Sequence, residues 1–490
     1  MNYLKWTLAV LLLALLLPAA GCRETTMTTE TQARTTIPPE VQGDAASSKP
    51  SISADGHFVA FESDAANLVV GSTNGARSIY VKDTRAGATM RVSSTSAGVN
   101  GNKDNANPAV SADGRFVAFD STATNLVPGD TGSQCVSASG TNVNCPDVFI
   151  KNLETGETRL VSATASGAQG DQASMRPAVS ADGRFVAFRS SATNLVPGDS
   201  NGKADIFLKD MQTGAVSRIS VGMDGSEGGD DSDAPVISGD GRYVAFRSAA
   251  GSLVPADGNS TMDVFLKDVQ TGALSRVSTS AAGVPGDEAS GFSSLALTAD
   301  GRFVAFESVA PNLVPGDANG KRDVFVKDTQ TGAIALASAD AGGTQGDEDS
   351  YHSVSISGNG RFVAFSSDAG NLVPGDANNA NGKTDIFLKD MQTGAIAMIS
   401  TNSGGVAQGQ GTSGSAAISG DGRFVVYDSE AANLVAGDTN RKTDVFVKDT
   451  QSGTTIRVST STADMENGAG DNSSTTGDQM GNASTIYINR

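Results

Sequence analysis

Tryptophan is nearly missing from this 490-residue chain: its one copy, Trp6, stands at the very start. Histidine occurs twice, as His57 and His352, in different parts of the chain. A zinc site or a histidine-based triad needs several such groups to converge, so two isolated histidines read as surface residues. Cysteine occurs three times, too few for a disulfide scaffold. Beyond residue 22 no stretch carries the 3.6-residue apolar period of a helix, which also excludes a phosphate loop opening onto a helix. Positive charge is in deficit: 35 Lys and Arg face 54 Asp and Glu, a net charge of −19. Such a surface does not suit a phosphate backbone, and nucleic acid is excluded as a partner. Present instead are 57 glycines and 38% apolar residues, the composition of many short strands joined by tight turns.

The first residues read as a leader. Lys5 precedes an apolar run, Leu8 to Leu17, then Pro18-Ala19-Ala20-Gly21-Cys22. The run is too short to span a bilayer and has the length of a signal-peptide core. Small residues ahead of a Cys resemble the bacterial lipobox, with Ala19 where that motif usually has Leu. The resemblance implies cleavage after residue 21, acylation of Cys22 and, with Arg23 next, delivery to the outer membrane of the cell envelope. Residues 22–46 are Thr-rich, carry Pro38-Pro39 and read as a disordered tether. Cys135 and Cys145 lie ten residues apart, and in an exported protein a disulfide between them is expected.

Between residues 47 and 462 one unit recurs seven times. Its hallmark is Ser-x-Asp-Gly-Arg-Phe-Val-Ala-Phe, with the turn pair at Asp55-Gly56, Asp113-Gly114, Asp182-Gly183, Asp240-Gly241, Asp300-Gly301, Asn359-Gly360 and Asp421-Gly422. In the third copy, strand a is Ala178-Val179-Ser180 and strand b is Arg184 to Arg189. Strand c is Asp205 to Asp210 and strand d is Ala215 to Val221. The Asp-Gly and Thr-Gly pairs supply tight turns. A fixed period means one supersecondary unit per copy, packed on its neighbours. The expected fold is all-β, a seven-bladed β-propeller of four-stranded antiparallel blades. The sequence Pro-x-x-Ser-x-Asp-Gly-Arg-Phe-Val-Ala-Phe, followed by Asp-Ile-Phe-Leu-Lys-Asp and Thr-Gly, resembles the WD-like repeat of TolB-type propellers over Lys49 to Thr460. The chain departs from TolB in having seven units rather than six and no room for its N-terminal domain. Residues 463–490 read as a flexible tail. Thr485 to Asn489 within it is either a strand that closes the ring or a frayed end.

Strand order sorts the loops. The a–b and c–d turns share one face, with the recurring Arg and the Lys-Asp pairs of strand c. The b–c and d–a connections share the other, acidic face. There an Asp-x-Asn-x-x-x-Asp pattern recurs: Asp199, Asn201, Asp205; Asp257, Asn259, Asp263; Asp317, Asn319, Asp323; Asp438, Asn440, Asp444; and a longer version, Asp376, Asn381, Asp385. Alternating oxygens suit Ca²⁺. The same acids can instead cap turns through their own backbone. No cofactor is required and no residue is singled out as catalytic. The expected role is a lipid-anchored envelope scaffold that binds a protein, peptide or glycan at its acidic loop face or axial channel. The alternatives are a carbohydrate-active hydrolase or lyase using loop carboxylates, and a TolB-like envelope assembly protein.

Overall fold

The computed structural model describes residues 40–462 apart from 72–74, 131, 133, 137–141, 256–260, 377–382 and 408–410. The leader, Cys22, most of the expected tether and the tail, with Thr485 to Asn489, lie outside the described residues. Seven four-stranded antiparallel sheets follow one another: Ser47–Arg91, Asn105–Leu160, Ser174–Arg218, Ser232–Arg276, Ser290–Leu336, Ser350–Met398 and Ser413–Arg457. Each pairs its strands in the order a-b-c-d from contiguous chain; blade 2 also carries a small hairpin, Gln134–Val136 with Asn142–Asn144, inside its b–c loop. Cys135 and Cys145 are bonded there, with Cα atoms 5.1 Å apart. The fold is a seven-bladed β-propeller.

The core is seven layers between blades. In strand b of blade 3, Val186 and Phe188 pack against Ala118, Val148 and Ile150 of blade 2. Ala187, on the opposite side, receives Val244 and Phe246 of blade 4. Large residues facing backward meet a small residue facing forward, so the near-continuous Phe-Val-Ala-Phe run is buried on both faces. Burying a Phe or Val side chain contributes about 1.5–3 kcal/mol.

Two further contacts bind each blade to the one before. The aromatic that opens strand b packs on the turn glycine of the next blade: a Cβ on Gly183 would stand 2.3 Å from Phe116 Cδ2. The strand-c lysine reaches back: Lys209 Nζ donates to the carbonyls of Ala163 (2.9 Å) and Thr164 (3.0 Å). These lysines were expected among the charges of the short-turn face. They are buried instead, because their stems run between blades and their ammonium groups satisfy carbonyls of the preceding d–a link. The arginines do lie on the short-turn face, where Arg184 bonds Asp210 at 2.9 Å and holds its carboxyl down at about 2.

Ring closure uses residues assigned by sequence to the tether. Every d–a link begins with a small bridge, such as Ala163 with Gln169. At the seventh link the equivalent bridge joins Gln42 to Thr460, with Gly43 N to Ser459 O at 3.0 Å and Ser461 N to Val41 O at 2.8 Å. Lys82 Nζ secures it through Thr460 Oγ1 (3.0 Å) and Glu40 (2.9 Å). The ordered ring therefore starts before residue 47.

Candidate functional site at the axial mouth

Strand a of every blade lines the axis, and in every blade its pairing with strand b is interrupted by a bulge. At the bulges Lys49, Asn107, Arg176, Ala234, His352 and Ser415 have φ between 48° and 70°, with Gly291 in the fifth blade. Six non-glycine residues in the left-handed region mark a strained ring, of the kind that collects at functional sites. Beyond the bulges the strands enclose an axial cavity of about 360 Å³, lined by residues such as Val110, Val179, Val236, Leu297 and Ile356. At its far end the a–b turns draw together: Ala181 N bonds Gly239 O, Gly239 N bonds Ala299 O, and Gly420 N bonds Ala54 O, each at 2.9 Å. The result is an apolar shaft narrowed by backbone at the short-turn end, with its mouth on the b–c face.

The mouth does not follow the repeat. After Phe-Val-Ala-Phe the chain places Glu62, Asp120, Arg189, Glu307 and Ser366, after Tyr-Val-Ala-Phe Arg247, and after Phe-Val-Val-Tyr Asp428. Each lies on strand b beneath the bulge ring. On blades 7, 1 and 2 the residue is acidic and accepts the bulge amide of the next blade: Asp428 from Lys49 N (3.0 Å), Glu62 from Asn107 N (3.3 Å), Asp120 from Arg176 N (3.0 Å). Lys49 Nζ lies 3.5 Å from Glu62. Burial pushes Asp120 up to about 6, although the Arg176 amide and the Asn107 side chain pull it down. Burial raises Asp428 as well.

Blades 3 and 4 are basic instead. Arg176 (3.0 Å), Arg247 (2.8 Å) and Arg189 (3.8 Å) gather on one carboxylate, Asp233. Burial would raise Asp233, but the Arg247 hydrogen bond and the nearby guanidinium charges outweigh it and hold the carboxyl low. Blades 5 and 6 supply aromatic and polar groups. Arg322 lies over Phe292 at 4.3 Å, and the rings of Tyr351 and His352 are 4.0 Å apart. Glu307 is fully buried, accepts from Ser293 N at 3.1 Å and has Oε1 without a hydrogen-bond partner. Burial pushes it up to about 7 against the pull of Arg322. Perturbed carboxyls at the rim of a cavity are the physical signature of a functional site.

The acidic loops have a different construction. In blade 3, Asp205 Oδ1 accepts from Ser220 Oγ (2.5 Å) and Oδ2 from Asn201 Nδ2 (3.0 Å), while Asn201 Oδ1 is taken by Lys203 N (2.9 Å). Arg218 sits among Asp199 (3.1 Å), Asp205 (3.5 Å) and Glu227 (2.6 Å). In blade 7, Asn440 donates to Asp444 at 3.2 Å, and Gln42 Nε2 joins Asp438 (2.9 Å) to Asp444 (2.7 Å). Arg457 lies 3.7 Å from Asp438. In blade 4, Arg276 lies 3.6 Å from Asp263; Asp257 and Asn259 are outside the described residues. In blade 5, Leu336 stands where the Arg would be; Asn319 donates to Asp323 at 2.9 Å, and burial pushes Asp323 up to about 6. In blade 6, Asp385 accepts from Ser400 Oγ at 2.6 Å; Asp376 is described and Asn381 is not. In all five blades the strand-c acid ties strands c and d together, and in blades 3, 5 and 7 the Asn oxygen is spent on its own turn. Such a donor set does not fit a hard cation, and among the described residues no group of three or more His, Cys, Asp or Glu is arranged to hold a metal.

No protein-family model matches the chain, and no curated protein does. Solved structures do. TolB propellers are among them. TolB from Acinetobacter baumannii aligns at 16% identity over 73% of this chain and 65% of its own, with a TM-score of 0.38. A prolyl endopeptidase aligns at 13% identity over 84% of this chain and 49% of its own, with a TM-score of 0.51. The propeller domain of the Trilobed protease from Pyrococcus furiosus aligns at 12% identity over 84% and 97%, with a TM-score of 0.47. The chain thus spans about two thirds of that TolB and about half of the endopeptidase. At these identities the likeness is one of fold.

Sequence reasoning pointed at the regular acids and passed over the irregular mouth. The signal was the one variable position behind the near-constant Phe-Val-Ala-Phe. His352, read as a surface residue, is exposed, and it stands at that mouth; His57 bonds its neighbour Asp55 at 2.6 Å on the short-turn side.

Proposed function

We propose that this protein is a recognition propeller of the cell envelope, tethered through Cys22, that takes a peptide segment at its axial mouth. The observation that carries the reading is the mouth itself: opposed acidic and basic sectors over an apolar shaft, in a frame otherwise repeated seven times. A peptide suits it better than a glycan. The side chains lining the shaft are mostly apolar, with Ser51 and Ser355 the exceptions, so an apolar side chain gains there and sugar hydroxyls would find little but backbone groups to bond. The proposed role is binding: Asp428, Glu62, Asp120 and Asp233 are engaged by backbone amides and guanidinium groups. Envelope attachment rests on the leader-like residues 1–21 and the Cys that follows.

Photo-crosslinking tests the proposal. A photo-reactive amino acid at His352 of the full chain should capture peptide or protein from envelope extract, while the same group at Gln330, on the short-turn face, should not. Equal capture at both positions, or none at His352, refutes it.

A further inference from the structure

The basic sector of the mouth carries more charge than its own contacts need. Four of the seven strand-b positions under the bulges are acids that receive backbone amides; in blades 3 and 4 the residues are Arg189 and Arg247. The amide of Ala234, which an acid of blade 3 would receive, is taken by Asp233 Oδ1 at 2.7 Å. Arg247 NH1 turns to the bulge carbonyl of Gly291 at 2.7 Å. Asp233 is then the one carboxylate on which three guanidinium groups converge, and it is already committed to an amide. Arg247 Nε is buried without a hydrogen-bond partner, and the one hydrogen bond made by the Arg189 guanidinium is a weak one to Met175 Sδ at 3.7 Å. Three permanent positive charges converge on Asp233, and the next acid, Glu307 near Arg247, is pushed up to about 7 by burial; beside a cavity and inside a strongly acidic protein, this surplus favours an added anion. Planar guanidinium forks match a carboxylate.

We propose that Arg176, Arg189 and Arg247 form a carboxylate-binding subsite at the mouth, where the carboxylate of the peptide ligand docks with its neighbouring apolar side chain directed into the shaft. The inference rests on the peptide-binding reading above. The carboxylate is supplied by a chain end or by an Asp or Glu side chain of the peptide.

The test uses the full chain with ¹⁵N-labelled arginine. N-acetyl-leucine offers a terminal carboxylate, N-acetyl-leucine amide is its neutral counterpart, and N-acetyl-aspartic acid α-amide, with its side-chain carboxyl free, offers the other source. A carboxylate probe should shift the Nε–H signals of Arg189 and Arg247, and the neutral amide should leave them in place; whichever acid binds more tightly identifies the source. Arg189→Gln should weaken that binding about tenfold, the loss of one charge-assisted hydrogen bond. Asp233→Asn should tighten it several-fold, because it removes the competing internal anion. A purely structural role for Asp233 predicts no such gain. Equal binding of acid and amide, or Asp233→Asn with unchanged or weaker affinity, overturns the inference. Crosslinking at His352 that survives Arg189→Gln undiminished would overturn the subsite and leave peptide binding at the mouth standing.

Discussion

Replacing Glu307 by Gln should stabilise the protein increasingly as pH rises above about 4.5, with the full gain above about pH 7. Glu307 is fully buried on strand b of blade 5, with one oxygen on Ser293 N and the other unpartnered. Burial pushes its carboxyl up to about 7 in the folded chain, against an ordinary value of 4.5. The folded state thus prefers the protonated form. Folding is least impeded by this group below about pH 4.5; stability falls as pH rises from there to about 7, and is constant beyond. The difference corresponds to about 3 kcal/mol at pH 8. Glutamine keeps the size and the acceptor for Ser293 N but never ionises. Urea denaturation at pH 8 should therefore show the Gln variant more stable by about 2–3 kcal/mol, with the two proteins alike to within about 0.5 kcal/mol at pH 4.5. The sign is the test. If Glu307 were ionised and held by Arg322, the variant would be less stable at pH 8, and the account of the mouth's electrostatics would be refuted.

Other perturbations probe the frame. Gly183→Ala forces a side chain into the left-handed region at φ 73° and onto the Phe116 ring, and should lower stability by about 3 kcal/mol or more; Gly198→Ala, at φ 79° with open space around it, should lower it by about 1 kcal/mol in the same urea titration. Lys209→Met strands the carbonyls of Ala163 and Thr164 between blades 2 and 3 and should cost about 2 kcal/mol, read as an earlier denaturation midpoint. Replacing Cys135 and Cys145 by Ser should speed proteolysis within the blade 2 hairpin; the closed loop is worth at most about 2–3 kcal/mol locally, so thermal unfolding of the ring should stay within about 2 °C of the parent.

Much of this architecture is legible in the chain because a propeller blade is a local object. Strand c of the third copy, Asp205–Asp210, is where its sequence puts it, and strand b is displaced by one residue to Phe185–Ser190. Strand a was read too short: it runs Ser174–Val179, because its first half, Ser174 and Met175, lies before the bulge and carries no alternating pattern to reveal pairing. The bulge depends on contacts with the preceding blade, which no window of one repeat contains. The same reason hid the role of Lys209, whose partners lie 45 and 46 residues earlier. The loop acids were visible but their chemistry was not, since Arg218 reaches Asp199 and Asp205 only once strand d is folded beside them. The mouth was visible in principle, as an irregular column directly behind the near-constant strand-b run. Regularity drew attention to shared acids, and function collects where the shared pattern breaks.

The seam between Gln42 and Thr460 lies inside a link and leaves every sheet whole. In a ring joined that way, duplicating or deleting one repeat adds or removes an intact wedge, with no half-sheet elsewhere that must find a new partner. The number of wedges then answers to the angle at which neighbours nest, and not to the fastening. A lineage could pass between ring sizes by simple unequal recombination, keeping the same clasp each time.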